Sequence, residues 1–84
     1  MIKKNENILR FLNELSNLTD GKFNFFVMTN NDNTKYQYLN ICLEDDIIRI
    51  EFWLKFIKKW FGKNNVIDVR VEANKIIIEV ELYD

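Results

Sequence analysis

The residues of this sequence able to carry reaction chemistry are few, and most are acids. Glu44, Asp45 and Asp46 form a short carboxylate run. Such a run can bind a hard cation or supply a general acid and base. It can also do a plainer job. At a helix start, acids favour the positive end of the dipole and cap free N–H groups, and that is the role expected here. The chain has no histidine, which excludes a Ser-His-Asp triad, a Cys-His pair and His-ligated zinc. Cys42 is the single cysteine, too few for a Cys₄ site or an internal disulfide, and it suits a reducing compartment. Two glycines cannot build a phosphate loop or a GxGxxG turn. Ser16 has no base near it in sequence. The expectation is a protein that is not an enzyme and uses no metal or cofactor.

Surfaces therefore matter more than reactive groups. The stretch Lys22 to Met28 reads KFNFFVM. As a strand it turns Phe23, Phe25 and Val27 one way and Phe26 and Met28 the other, with only Asn24 to make the second face polar. One layer of helices can cover only one face of a strand. If it covers Phe23 and Phe25, then Phe26 and Met28 are left facing water, beside Tyr36 and Tyr38 of the next strand. An apolar cluster of this kind marks an interaction site, and aromatic residues are frequent anchors in such sites.

A second candidate surface lies in the middle of the chain. Over residues 45–61, Ile50, Trp53, Leu54, Ile57 and Phe61 fall on one side of a helix, and Phe52, Phe56 and Trp60 on another. Lys55, Lys58, Lys59 and Glu51 are confined to a narrow strip. The apolar arc is about twice the ~100° that a helix lying on a sheet needs. Either the helix is buried from two sides, or part of it meets a partner. The partner-binding candidates are thus Phe26, Met28, Tyr36, Tyr38, Phe52, Phe56, Trp60, Lys55 and Lys59.

The elements that position these residues follow from periodicity. Ile8, Phe11, Leu12, Leu15 and Leu18 recur at helical spacing over 5–18, Glu6 precedes Arg10 by one helical turn, and Gly21 is placed to end that helix in a left-handed conformation. Strands are expected over 23–29 and 35–43, joined by the turn residues NNDN at 30–33. Leu39, Ile41 and Leu43 share one face of the second strand, and Tyr36, Tyr38, Asn40 and Cys42 the other. A second hairpin is expected over 66–72 and 75–83, turning at Ala73-Asn74. In it Ile67, Val69, Val71, Ile76, Ile78, Val80 and Leu82 point inward. The helix at 45–61 is supported by acids at its start, Lys58 and Lys59 in its last turn, and Gly62 after it. A competing reading makes 47–52 a further strand, giving the order αβββαββ.

The favoured order is αββαββ: a single α+β domain over 1–84, with two helices packed on one face of a four-stranded, mostly antiparallel sheet. It reads as one αββ unit used twice. Leu12, Leu15, Phe25, Ile41, Leu54, Ile57, Val69, Ile78 and Val80 are expected to share one core.

Composition narrows the function. A net charge of −1 and a pI near 5.4 argue against strong binding to nucleic acid, which needs clustered positive charge. Lys55, Lys58, Lys59 and Lys63 gather near one helix end, and Glu72, Glu79, Glu81 and Asp84 on the last hairpin. No apolar run approaches the ~20 residues of a membrane span, and the first residues do not resemble a signal peptide. A cytoplasmic protein is expected. The leading reading is a small protein-binding module that acts by covering a larger target or by forming a homodimer. In type, an acidic, asparagine- and isoleucine-rich single domain without catalytic residues resembles phage and mobile-element accessory proteins. Inhibitors of host defence proteins such as the anti-CRISPRs are among these. The resemblance is one of type and assigns no residue a role. Alternatives are single-stranded nucleic-acid binding through sheet-face aromatics with Lys22 and Lys35 at the phosphates, an interfacial helix at WLKFIKKWFGK, and a structural subunit of a larger assembly.

Overall fold

The computed structural model describes residues 4–30 and 33–82. Side chains are described for 8–29 and 37–82. The Asn31-Asp32 turn, the Glu6 and Lys35 side chains, Tyr83 and Asp84 therefore lie outside the described residues. So does the Tyr36 side chain.

Helix α1 (Lys4–Thr19) leads into β1 (Phe23–Asn30) and β2 (Asn33–Leu43); helix α2 (Ile50–Phe61) leads into β3 (Val66–Glu72) and β4 (Lys75–Leu82). The order is αββαββ. The sheet has four strands in the order β1-β2-β4-β3, and every neighbouring pair is antiparallel. The two αββ halves occupy equivalent places about the central β2–β4 seam. The last residues of β1 and β3, and the first of β2 and β4, repeat at half the 84-residue length.

The core lies between the helices and one face of the sheet. β2 contributes Leu39, Ile41 and Leu43, and β4 contributes Ile76, Ile78, Val80 and Leu82, all buried. Across the seam Leu39 stands opposite Val80, Ile41 opposite Ile78 and Leu43 opposite Ile76. Helix α1 inserts Phe11 and Leu15, one turn apart, and α2 inserts Trp53 and Ile57 at the same spacing. Leu12, Leu54 and Val69 pack at the core margin.

The ends of α1 and α2 follow their residue chemistry. Asp20 and Gly21 both take positive φ, at 58° and 77°, and the Gly21 N–H donates to the Ser16 carbonyl at 3.0 Å, closing α1. Gly62, at φ 92°, closes α2 with its N–H on the Lys58 carbonyl at 2.7 Å. At the other end of α2, the Asp46 carboxylate accepts the Ile48 N–H and caps a 3₁₀ turn, Ile47–Arg49, which runs into α2. The helix expected at 45–61 thus begins with a tighter turn, and 47–52 is not a strand.

Four positions expected to face the core are corrected. Phe25 is 46% exposed, because β1 is an edge strand with a neighbour on one side only. Leu18, expected on the apolar stripe of α1, is about half exposed. In β3, pairing steps from Val66–Val80 to Asp68–Glu79, so Ile67 is an extra bulged residue. Val66 takes the inward place and Ile67 is exposed. Val71 faces inward opposite Ile76 yet stays partly exposed at the sheet edge.

Candidate functional site

The sheet face away from the helices carries two kinds of surface. Its rows follow from the pairing. Asn24, Cys42, Ile77 and Arg70 form one row, Phe26, Asn40, Glu79 and Asp68 the next, and Met28, Tyr38 and Glu81 a third. The β1–β2 half is uncharged, with Phe26 at 55% and Met28 at 51% exposure. Tyr38 and Cys42 are partly buried. The β3–β4 half is mostly acidic. There Arg70 donates to Asp68 at 2.7 Å and to Glu72 at 3.1 Å, holding two carboxylates along the edge. These bonds, to Asp68 first, raise the Arg70 pKa further. Glu79 and Glu81 have no ion pair among the described residues.

Asn40 lies at the boundary between the halves. It is only 3% exposed, although no helix covers this face. Its row neighbours are Phe26 and Glu79, with Tyr38 and Cys42 on either side along its own strand. The Asn40 Nδ2 has no hydrogen-bond partner. A buried amide donor left unpaired costs about 1–3 kcal/mol. Asn40 is not among the partner-binding residues expected from the sequence. The signal was there: one amide between Tyr38 and Cys42, on the stretch of strand whose other face carries Leu39, Ile41 and Leu43.

The structure brings Phe26, Met28 and Tyr38 together on this face. It places Phe52, Phe56, Trp60, Lys55 and Lys59 on the opposite side of the molecule. Phe56 and Trp60 are partly buried against Phe11, with ring centroids 5.7 and 5.9 Å away, and Phe61 meets the same ring at 4.9 Å. The wide apolar arc of α2 is thus filled from two sides, by the sheet and by α1. Phe52 remains 44% exposed, beneath the Arg49 guanidinium at 4.6 Å. Lys55 and Lys59 are exposed.

The carboxylate run serves the fold. Asp45 accepts the Trp53 Nε1–H at 2.7 Å and the Asp46 N–H at 2.8 Å, and Arg49 lies 3.5 Å away. Partial burial pushes the Asp45 carboxyl up, but the two hydrogen bonds and the guanidinium together outweigh it and hold the group below its usual range. Glu44 pairs with Lys75 at 3.3 Å. A shallow cleft of about 200 Å³ opens here between Leu18, Lys22, Leu43 and Arg49. Its carboxylates are engaged by neighbours and offer a ligand little. Among the described residues no cluster of acids and cysteine is placed to hold a metal ion, and no helix is long and apolar enough to cross a membrane.

Neither a family model nor a curated protein nor a solved structure matches this chain.

Proposed function

We propose that the chain is a protein-binding module that covers part of a larger target with the outer face of its first hairpin, without catalysis. The observation that carries this reading is the pairing of an exposed apolar patch, Phe26 and Met28, with a buried and unpartnered amide, Asn40. Apolar anchors beside a desolvated polar group are how protein interfaces combine affinity with orientation. The fitting target presents an apolar contact for Phe26 and Met28, and basic groups toward Glu79 and Glu81. In the more specific form of this reading, suggested by composition, the target is a host defence protein and the chain a phage or mobile-element inhibitor.

The test uses two baits in parallel, the parent chain and a Phe26→Ser/Met28→Ser variant. A protein retained by the parent and lost by the variant, with the variant's thermal melt intact, supports the reading. Equal capture by both overturns it. Stacking of unpaired bases on Phe26 is the competing use of an open sheet face, but the acidic row beside it repels phosphates. A salt-sensitive, sub-micromolar complex with random oligonucleotides would replace the protein-binding reading with that one.

A further inference from the structure

The free edge of β1 is built to be paired. Antiparallel strands alternate between bonded and non-bonded residue pairs. The Lys22 carbonyl accepts the Glu44 N–H at 3.4 Å, which marks Lys22–Glu44 as a bonded pair. By alternation, Asn24, Phe26 and Met28 spend their backbone groups on β2. Phe25, Val27 and Thr29 direct their N–H and C=O groups to the open edge. The Phe23 N–H also points away from β2 and is taken by the Gly21 carbonyl at 3.0 Å.

Exposed edges invite pairing, and proteins blunt them with charge, proline, bulges or short strands. β1 has no charge, no proline and no bulge from Phe23 to Thr29. It is apolar on both faces: Phe25 and Val27 are each 46% exposed on the helix side, and Phe26 and Met28 slightly more on the other. That is the composition of a strand inside a sheet, flanked on both edges and covered on both faces.

The geometry points to a second copy of this chain as the occupant, its β1 antiparallel to the first about a two-fold axis, so that two sheets join edge to edge. A two-fold that keeps both helix layers on one side requires odd residues opposite odd and even opposite even. The register that pairs the whole strand places Phe26 opposite itself, Phe25 opposite Val27 and Phe23 opposite Thr29. The bonded pairs are then the edge-facing residues identified above. Phe26 meets Phe26 at a non-bonded position, where cross-strand side chains are closest and aromatic pairs stabilise. The exposed Phe25 and Val27 of each copy cover one another on the helix side. Charge agrees with self-pairing. The strand carries none to oppose its own image, and Lys22 at its start falls opposite Asn30 of the other copy, clear of any like charge, twice over by symmetry. This pairing goes beyond target binding and does not depend on it. It uses the outward backbone groups of β1, with Phe25 and Val27 on one side and Phe26 on the other, and it leaves Asn40 on a face that becomes twice as wide.

The experiment is sedimentation equilibrium on the full chain alone, under reducing conditions, across the micromolar range. The expected mass is twice the 10.2 kDa chain. Val27→Pro removes an outward N–H that β2 does not use, so the hairpin persists while the dimer weakens by about tenfold or more. Val27→Lys, the charge that natural edges employ, is the second variant should proline disturb the strand. In a Cys42→Ser background, Phe26→Cys should cross-link into a dimer on mild oxidation, whereas Phe25→Cys should not. A monomer at every concentration overturns the inference. So does a dimer indifferent to Val27→Lys, or cross-linking that favours Phe25→Cys.

Discussion

β1 and β3 flank the sheet at equal distance from its centre. Each follows a helix, opens a hairpin and pairs on one side only. Their treatment of the free edge is opposite. β3 carries Asp68, Arg70 and Glu72, tied together by ion pairs, and a bulge at Ile67 that breaks the edge's regularity. Both features keep another strand from docking. β1 carries neither. Two halves that share a layout thus differ where a sheet meets the rest of the world. The lesson is that the edge, and not the fold, divides the roles of the halves: one is closed to strands and the other open.

The largest expected effect comes from erasing that difference. Replacing Asp68, Arg70 and Glu72 together by valine would give the molecule two open edges. With β1 already paired, β3 edges would then join chains end to end. Light scattering should show growth well past a dimer, and a variant that stays at the parent's mass would mean that the bulge alone protects β3. Next in size is Phe11→Ala. Phe11 belongs to the first half but packs on Phe56, Trp60 and Phe61 of the second. Its loss should destabilise by about 3–5 kcal/mol in a denaturant melt. A smaller cost would show that the halves are held by the β2–β4 seam alone. On the seam, Ile78→Ala should cost about 2–5 kcal/mol.

Asp45→Ala strands the indole N–H of a buried tryptophan and should cost about 1–3 kcal/mol at neutral pH. The first half has no described counterpart of this bond. Because the folded state holds Asp45 below its ordinary value, the carboxylate's contribution is complete above the unfolded value of about 3.9 and fades as the pH falls below it. The gap between parent and variant should therefore narrow below about pH 4. A gap that is constant with pH would assign the effect to packing. The smallest effects are expected at the edges. Arg70→Ala should leave the denaturant melt almost unmoved, since its pairs are exposed. Val27→Thr should alter the melt of the monomer by no more than about 0.5 kcal/mol.

Much of this architecture is legible in the residues. Helical spacing in Phe11 and Leu15, alternation in Ile76–Ile78–Val80, and Gly21 and Gly62 as stops are local signals, and local physics decides them. The two-sided apolar strand KFNFFVM was visible as an anomaly from its letters. What the letters withhold is placement. Alternation cannot say which strand becomes an edge, so Phe25 reads as core although it sits half exposed on an edge strand. Nor can a period of two reveal an inserted residue: Ile67 alternates with Val69 and Val71 in sequence, and the bulge gives its inward place to Val66. The Asp45–Trp53 bond joins residues two turns apart across a change of helix type. The poverty of the Asn40 environment appears only once its four neighbours are arranged around it. For α2, the residues showed that the arc was too wide for one contact, but only the packing of Phe11 shows which side α1 fills.

The β2–β4 seam also bears on how fast the chain reaches this structure. Each hairpin closes over a short turn, whereas joining the two central strands must bring residues 37–43 to 76–82 with α2 and β3 looped between them. Closing that loop is the costly entropic step, so the seam is expected to sit in the folding nucleus. Truncations at Ile41 or Ile78 should then slow refolding in stopped-flow experiments, while changes on β1 should mainly hasten unfolding. A chain without proline has no slow peptide-bond isomerisation to wait for. Any later phase should scale with protein concentration, as expected if the open edge finds its match only after each sheet is complete.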